Sequence, residues 1–242
     1  MDIKTRNDIS SFMVHLTRKT GKSRIFNAKN NLINILKTSK IEARNHHCFF
    51  SPLLAKESPD IQDKFKVACF TEVPFENIKY LTQISNRQKN FEGYGIIFSK
   101  DGYEYYEDEE GMQQYAIHPN SVFYLYGHNK ELKKAIRHQY DQWLKDIKSN
   151  NRDSEFYRFG ALVNIISEEH NFQWEREYRT IGDFNFVLNH IMAIIAPEDE
   201  HDEIRAEVGQ DLLNGLLFLD ITWNLETIVN NMSLMYWNAC KK

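Results

Sequence analysis

Trp174-Glu175-Arg176-Glu177-Tyr178-Arg179 is the stretch on which the fold turns. Read as a strand, it alternates, so that Glu175, Glu177 and Arg179 share one face and Trp174, Arg176 and Tyr178 the other. Read as a helix, Trp174 with Tyr178 and Glu175 with Arg179 are i,i+4 neighbours, and the segment is a solvated turn laced by a salt bridge. The β-branched Thr180 and Ile181 that follow favour the strand. Charge at this density is a poor packing element. Two carboxylates beside an arginine are, however, well suited to holding hydroxyls or to stabilising a developing cation.

Beyond the hexad, residues 190–196 predict an apolar strand stopped by Pro197, residues 199–208 a short acidic helix, and residues 216–221 a further strand. On the N-terminal side, residues 14–17 predict a short strand, followed by a polar, basic connection through Gly21 to Asn27. Asn30 or Asn31 caps a helix carrying Leu32, Ile33, Ile35 and Leu36 and ending near Ser39, after which residues 40–50 are irregular or extended. Residues 65–70 predict a buried strand ended by Pro74, and residues 77–84 a helical turn. Residues 94–98, 112–117 and 121–126 predict strands, the last two separated by the His118-Pro119-Asn120 turn. From Asn129 the period becomes 3.6, with Leu132, Ile136, Tyr140, Trp143 and Ile147 on one stripe of a long helix. Asp153 or Ser154 caps a second helix through Phe156, Phe159, Leu162, Val163 and Ile166. No internal repeat or low-complexity linker interrupts the pattern.

The 242 residues, 42% hydrophobic and 13% aromatic with 10 Gly and 5 Pro, describe a globular chain, and the expected fold class is α+β. Such a length buries roughly 70–75% of its unfolded surface, and a single domain over residues 1–242 is expected. No apolar run reaches the ~18 residues of a membrane span, so no membrane association is expected. Met1-Asp2-Ile3-Lys4 lacks an apolar signal core, and Cys48, Cys69 and Cys240 are an odd, widely spaced set. Both features point to a reducing, cytoplasmic setting.

The net charge of −4 is unevenly distributed: ten Lys and Arg lie between Lys4 and Arg44 against Asp8 and Glu42. That excess can face phosphates or simply balance the acidic run Asp101, Glu104, Glu107, Asp108, Glu109 and Glu110, which reads as a solvated loop. Phosphate-binding GxxxxGK[ST], dinucleotide-binding GxGxxG, HExxH and GxSxG are all missing from the sequence. His46-His47-Cys48 places adjacent ligands on opposite sides of an extended chain with no second pair at ligand spacing, so no metal site is expected.

On a strand, His15 and Thr17 lie on the same side, where both can hydrogen-bond a polar ligand. The ordered series is His15-Leu16-Thr17, Asn31-Leu32 with Ile35-Leu36, Val67 to Glu72 with Pro74, Tyr94-Gly95-Ile96-Ile97-Phe98 and finally Glu175 to Arg179. In that order it resembles the DarT-like branch of the ADP-ribosyltransferases, and within it the abortive-infection proteins of the AbiGi type and related phage-defence toxins. The resemblance covers roughly residues 12–195. It implies a pair of small mixed sheets forming a cleft that grips NAD, with flanking helices and no glycine loop of the Rossmann kind.

Carried over residue by residue, the resemblance implies that His15 contacts the adenosine side of NAD, with Thr17 assisting and Asn31 in the same site. Glu177 would bind the nicotinamide-ribose hydroxyl, and Glu175 would sit near the target nucleophile. Arg44, Arg18 and Arg24 are the candidates for the arginine near the nicotinamide, and Phe50-Ser51 and Tyr94 for the central tyrosine element. Arg179 would neutralise the carboxylates or touch the pyrophosphate. Glu177 and Glu175 are thus the expected catalytic pair, and NAD the expected co-substrate.

The activity expected is mono-ADP-ribosylation of RNA or single-stranded DNA by a bacterial defence toxin, with an antitoxin or inhibitor protein as partner. The basic N-terminal third, with Phe12, Phe26, Phe49 and Phe50 available to stack on bases, motivates the nucleic acid. Two other classes stay open: a non-catalytic transferase-like binding partner or antitoxin, and a metal-dependent nuclease using the same carboxylates.

Overall fold

The computed structural model describes residues 10–19, 27–44, 47–82, 91–100, 103–108, 111–116, 119–149, 154–166, 171, 173–210, 212–213 and 215–239. In chain order the strands are β1 (Phe12–Arg18), β2 (Lys40–Ile41), β3 (Val67–Thr71), β4 (Phe91–Ser99), β5 (Tyr103–Asp108), β6 (Gly111–Ala116), β7 (Asn120–Ser121), β8 (Phe123–Tyr126), β9 (Val163–Ile166), β10 (Glu177–Ile181), β11 (Phe184–Asn185), β12 (Ile191–Ile195) and β13 (Leu217–Leu219). The helices are α1 (Ala28–Thr38), α2 (Ser51–Leu54), α3 (Pro59–Asp63), α4 (Phe75–Thr82), α5 (Lys130–Lys148), α6 (Phe156–Gly160), α7 (His201–Val208) and α8 (Leu225–Ala239). With parallel and antiparallel pairs in one sheet, the chain is of mixed α+β class. Among the described residues no helix is long and apolar enough to cross a membrane.

The chain folds as two compact units, one built from residues 1–40, 70–118 and 185–242 and the other from residues 41–69 and 119–184. In the first, the strand order is β13-β12-β4-β1, followed by the C-terminal end of β3. β12 and β13 run parallel, with Ala193 opposite Leu217, and the other pairs are antiparallel, with His15 opposite Ile96 and Val14 opposite Thr71. Val14, Leu16, Ile97, Ile195 and Leu219 form an aliphatic core with Ile78 and Leu81 of α4. β1 is buried on both faces, because α1 packs on β1 and β4 with Leu32, Ile33 and Leu36 turned inward. Full burial of each such side chain contributes roughly 1.5–3 kcal/mol.

Gly95 is a glycine for a local reason. A Cβ there would lie 2.6 Å from the carbonyl oxygen of His15, so a side chain would force β1 and β4 apart. One position on, the β1–β4 register slips between Leu16 and Arg18. A bulge of this kind re-aims the side chain at its centre, here Thr17.

The second unit pairs β10 with β7, Tyr178 opposite Ser121, and β8 with β9 in parallel, Phe123 opposite Val163. Val67 of β3 bridges Gly182 just beyond β10. Its core is aromatic. Phe50 stacks on Tyr140 at 4.8 Å and 11°, and Phe65 meets Trp143 edge-on at 5.3 Å. These offset and edge geometries are the ones the ring quadrupoles favour. Tyr140 and Trp143 come from α5, whose first turn is capped by Asn129 accepting from the Leu132 N–H at 3.1 Å.

Several expectations are corrected. Only half of the hexad is a strand: Trp174 and Glu175 belong to a 3₁₀ turn (Gln173–Glu175), Arg176 has φ 45°, and β10 starts at Glu177. The positive φ of Arg176 breaks the alternation, so Glu175 does not continue the Glu177–Arg179 face. α1 is capped by Asn27, which accepts from the Asn30 N–H at 2.7 Å, and not by Asn30 or Asn31. The expected second helix stops at Gly160, and Val163 to Ile166 form β9, where β-branched residues pair in register with β8.

The 121–126 strand divides at Val122, whose N–H donates to the Glu177 carbonyl while the next N–H donates to that of Leu162; the chain changes partner there. Glu104 to Asp108 are not loop but β5, paired with β6, in a stretch rich in strand-favouring tyrosines. α8 had no counterpart in the sequence reading. Arg24 and Phe26, with Lys4, Arg6 and Lys22, lie outside the described residues.

Candidate active site

β10 places Glu177 and Arg179 on one face, two residues apart, as strand periodicity demands. The pair is bidentate: Arg179 Nε donates to Glu177 Oε1 and Nη2 to Oε2, each at 2.9 Å. Nη1 donates to the Ala161 carbonyl at 2.7 Å, which fixes the third side of the guanidinium. The Arg179 side chain is 2% exposed and that of Glu177 16%. Burial by itself works against a charged guanidinium, but the adjoining Glu177 carboxylate and its hydrogen bonds outweigh it and hold the Arg179 pKa above its ordinary value.

Tyr124 of β8 completes the cluster, its hydroxyl donating to Glu177 Oε2 at 3.3 Å. Burial first, and then the nearby carboxylate, raises the Tyr124 pKa, so the phenol stays a proton donor across the neutral range. Cys48, buried in the same unit, has its thiol pKa pushed up by burial and is a poor nucleophile. A carboxylate held by a guanidinium and a phenol has a fixed orientation.

The other expected site residues separate by unit. In the second unit, Glu175 is half-buried on the 3₁₀ turn, and Arg44 is exposed, paired with Glu42 Oε2 through Nε at 3.1 Å and Nη2 at 3.0 Å. In the first unit, His15 lies edge-on to Phe70 at 5.8 Å. Thr17 is 3% exposed, and its hydroxyl reaches the carbonyls of Ala28 at 2.8 Å and Tyr94 at 3.3 Å. The Asn31 amide donates to the Arg18 carbonyl at 2.7 Å, and the Tyr94 hydroxyl to Glu200 Oε2 at 2.8 Å. Thr17 and Asn31 therefore tie β1, α1 and β4 together.

The aromatic set proposed for stacking bases is also corrected. Phe50 is fully buried inside the aromatic core and cannot meet a base, whereas Phe12 is 37% exposed. Tyr124 was not singled out from the sequence, and no local pattern marks it. Its role arises from the pairing of β8 with β9 and from the chain's change of partner at Val122. Among the described residues no group of three or more His, Cys, Asp or Glu could hold a metal ion. Comparison of the chain with protein-family models, with curated proteins and with solved structures returned no match.

Proposed function

We propose that the chain is an NAD-dependent mono-ADP-ribosyltransferase that modifies RNA or single-stranded DNA, as the toxin of a bacterial defence system with an antitoxin or inhibitor as partner. The observation that carries this reading is the Glu177 carboxylate, held by Arg179 and Tyr124 yet still open to solvent over part of its surface. In the reaction the bond from ribose C1′ to the nicotinamide nitrogen breaks, its electron pair leaving with neutral nicotinamide. The acceptor nucleophile forms the new bond to C1′ and gives up a proton. Glu177 orients the ribose hydroxyl and opposes the positive charge present chiefly in the transition state. Glu175 is the candidate base on the acceptor side, contributing roughly 10²–10⁴-fold.

A second reading, a transferase-like module that binds a partner without catalysis, is favoured by the internal engagement of Thr17, Asn31, Tyr94 and Arg179. Incubation with NAD labelled in its adenosine half, together with RNA, single-stranded DNA or cell lysate, separates the two. Transfer of label with release of nicotinamide supports the transferase. Absence of both transfer and measurable NAD binding leaves the binding module.

A further inference from the structure

The first unit holds a cavity of about 410 Å³ that the proposed transferase chemistry does not use. Arg205 of α7, Phe218 of β13, Trp223, Leu213, and Leu234 and Met235 of α8 are among the residues that line it. The guanidinium of Arg205 lies over the Phe218 ring, 4.0 Å from its centroid. Its side chain is 28% exposed, and among the described residues its ion pair is a long one: Asp202 Oδ1 is 3.7 Å from Nη1 on a fully exposed side chain. A pair of that kind contributes little. Burial lowers the Arg205 pKa, and Asp202 partly offsets this.

Some of the neighbouring polar groups are engaged within the fold, Asn231 Nδ2 donating to the Thr227 carbonyl at 2.9 Å. His201 Nε2 lies 2.9 Å from the Ala196 carbonyl, which makes it the N–H donor there, and Trp223 Nε1 donates to Glu198 at 2.9 Å. The His201 ring packs 5.1 Å from that of Phe218 and 5.8 Å from that of Trp223. One guanidinium thus stands among aromatic, aliphatic and polar side chains, Gln210 and Asn231 included, around a volume near the lower end for small-molecule pockets, roughly 300–1,000 Å³.

We propose that this cavity binds a small amphipathic carboxylate, its apolar body against Trp223, Leu234 and Met235 and its carboxylate on Arg205. A monoanion matches the site because Arg205 is the only Arg or Lys among the lining residues; a phosphate dianion would keep an uncompensated charge. The site is independent of Glu177, so its test and that of the transferase fail separately.

The experiment is calorimetric titration of the full chain with sodium octanoate, 1-octanol and inorganic phosphate. Octanoate is expected to bind saturably, with octanol at least roughly tenfold weaker because it lacks the charge-assisted hydrogen bond. Arg205→Gln is expected to bring octanoate down to the octanol level, and Leu234→Trp, at the exposed α8 wall, to weaken both ligands without altering the core. Circular dichroism checks that each variant is folded. Absence of saturable octanoate binding, equal affinities for octanoate and octanol, or an unchanged affinity in either variant would overturn the proposal. Displacement of octanoate by phosphate would overturn the carboxylate assignment.

Discussion

The surroundings of β1 and α1 in the first unit and of β10 in the second bury polar groups in different ways. In the first, the buried polar side chains of β1 and α1 are neutral and end on backbone carbonyls: Thr17 on Ala28 and Tyr94, Asn31 on Arg18. In the second, an ion pair is buried beside an aromatic core, with Arg179 clamped between Glu177 and the Ala161 carbonyl. A neutral pin satisfies backbone groups and holds strand to helix at small cost. A buried ion pair sacrifices several kcal/mol of hydration per ion, and an apolar pair of equal volume is often as stable. The charged arrangement is therefore poorly explained by stability alone, and it is the place to look for chemistry.

The largest expected effect tests that contrast directly. Arg179→Met leaves the Glu177 carboxylate without its counter-charge and is expected to cost about 3–5 kcal/mol, read from urea unfolding. Glu177→Ala strands a buried guanidinium and is expected to cost about as much, so loss of activity in that variant would not by itself identify a catalytic residue. Glu177→Gln, which keeps the volume and one acceptor for Arg179, is the informative substitution.

Thr17→Val should cost less, about 1–3 kcal/mol, because a neutral carbonyl is left short of a donor. A Thr17→Val loss exceeding that of Arg179→Met would break the comparison. Tyr124→Phe removes one 3.3 Å bond to Glu177 and is expected to cost only about 0.5–1.5 kcal/mol while lowering the transfer rate. A rate unchanged in Tyr124→Phe would remove Tyr124 from the site.

The smallest effect is expected at Tyr140. Among the described residues its hydroxyl has no hydrogen-bond partner, so Tyr140→Phe is expected to be neutral or to stabilise by up to about 1 kcal/mol. Burial pushes its pKa up to about 12. Below pH ~9 the phenol is neutral folded and unfolded. As pH rises from there toward about 12, the unfolded chain ionises while the folded one keeps its proton, so stability falls with rising pH. Tyr140→Phe should flatten that alkaline loss in part, Tyr124 contributing in the same direction. An alkaline profile identical to wild type would contradict the assignment.

Much of the scaffold was legible because periodicity is local. β1, β4, β12 and α5 all carry the apolar spacing their burial requires, and each falls within a few residues of its expected place. What could not be read depends on partners or on single dihedral angles. Arg176 gives no sign of its positive φ, so the sequence made Glu175 and Glu177 look equivalent when one lies on a turn and the other on a strand. Val163 to Ile166 carry a spacing compatible with either helix or strand, and pairing with β8 decides it. α8 escaped notice because its large side chains, Leu225, Val229, Met232 and Trp237, stay exposed and, among the described residues, no buried stripe marks it. The Glu177–Arg179 pairing was readable from period two, but the depth of Arg179 and the part played by Tyr124 come from tertiary contacts alone.

The central claim is that Glu177 acts on the ribose of NAD. Its most direct test is the initial rate of nicotinamide release and label transfer by wild type and Glu177→Gln, compared at a temperature where circular dichroism finds both equally folded. The account predicts measurable transfer by wild type and a loss of at least ~10²-fold in Glu177→Gln. Transfer unaffected by the substitution, or no nicotinamide release by the wild-type chain, would contradict it.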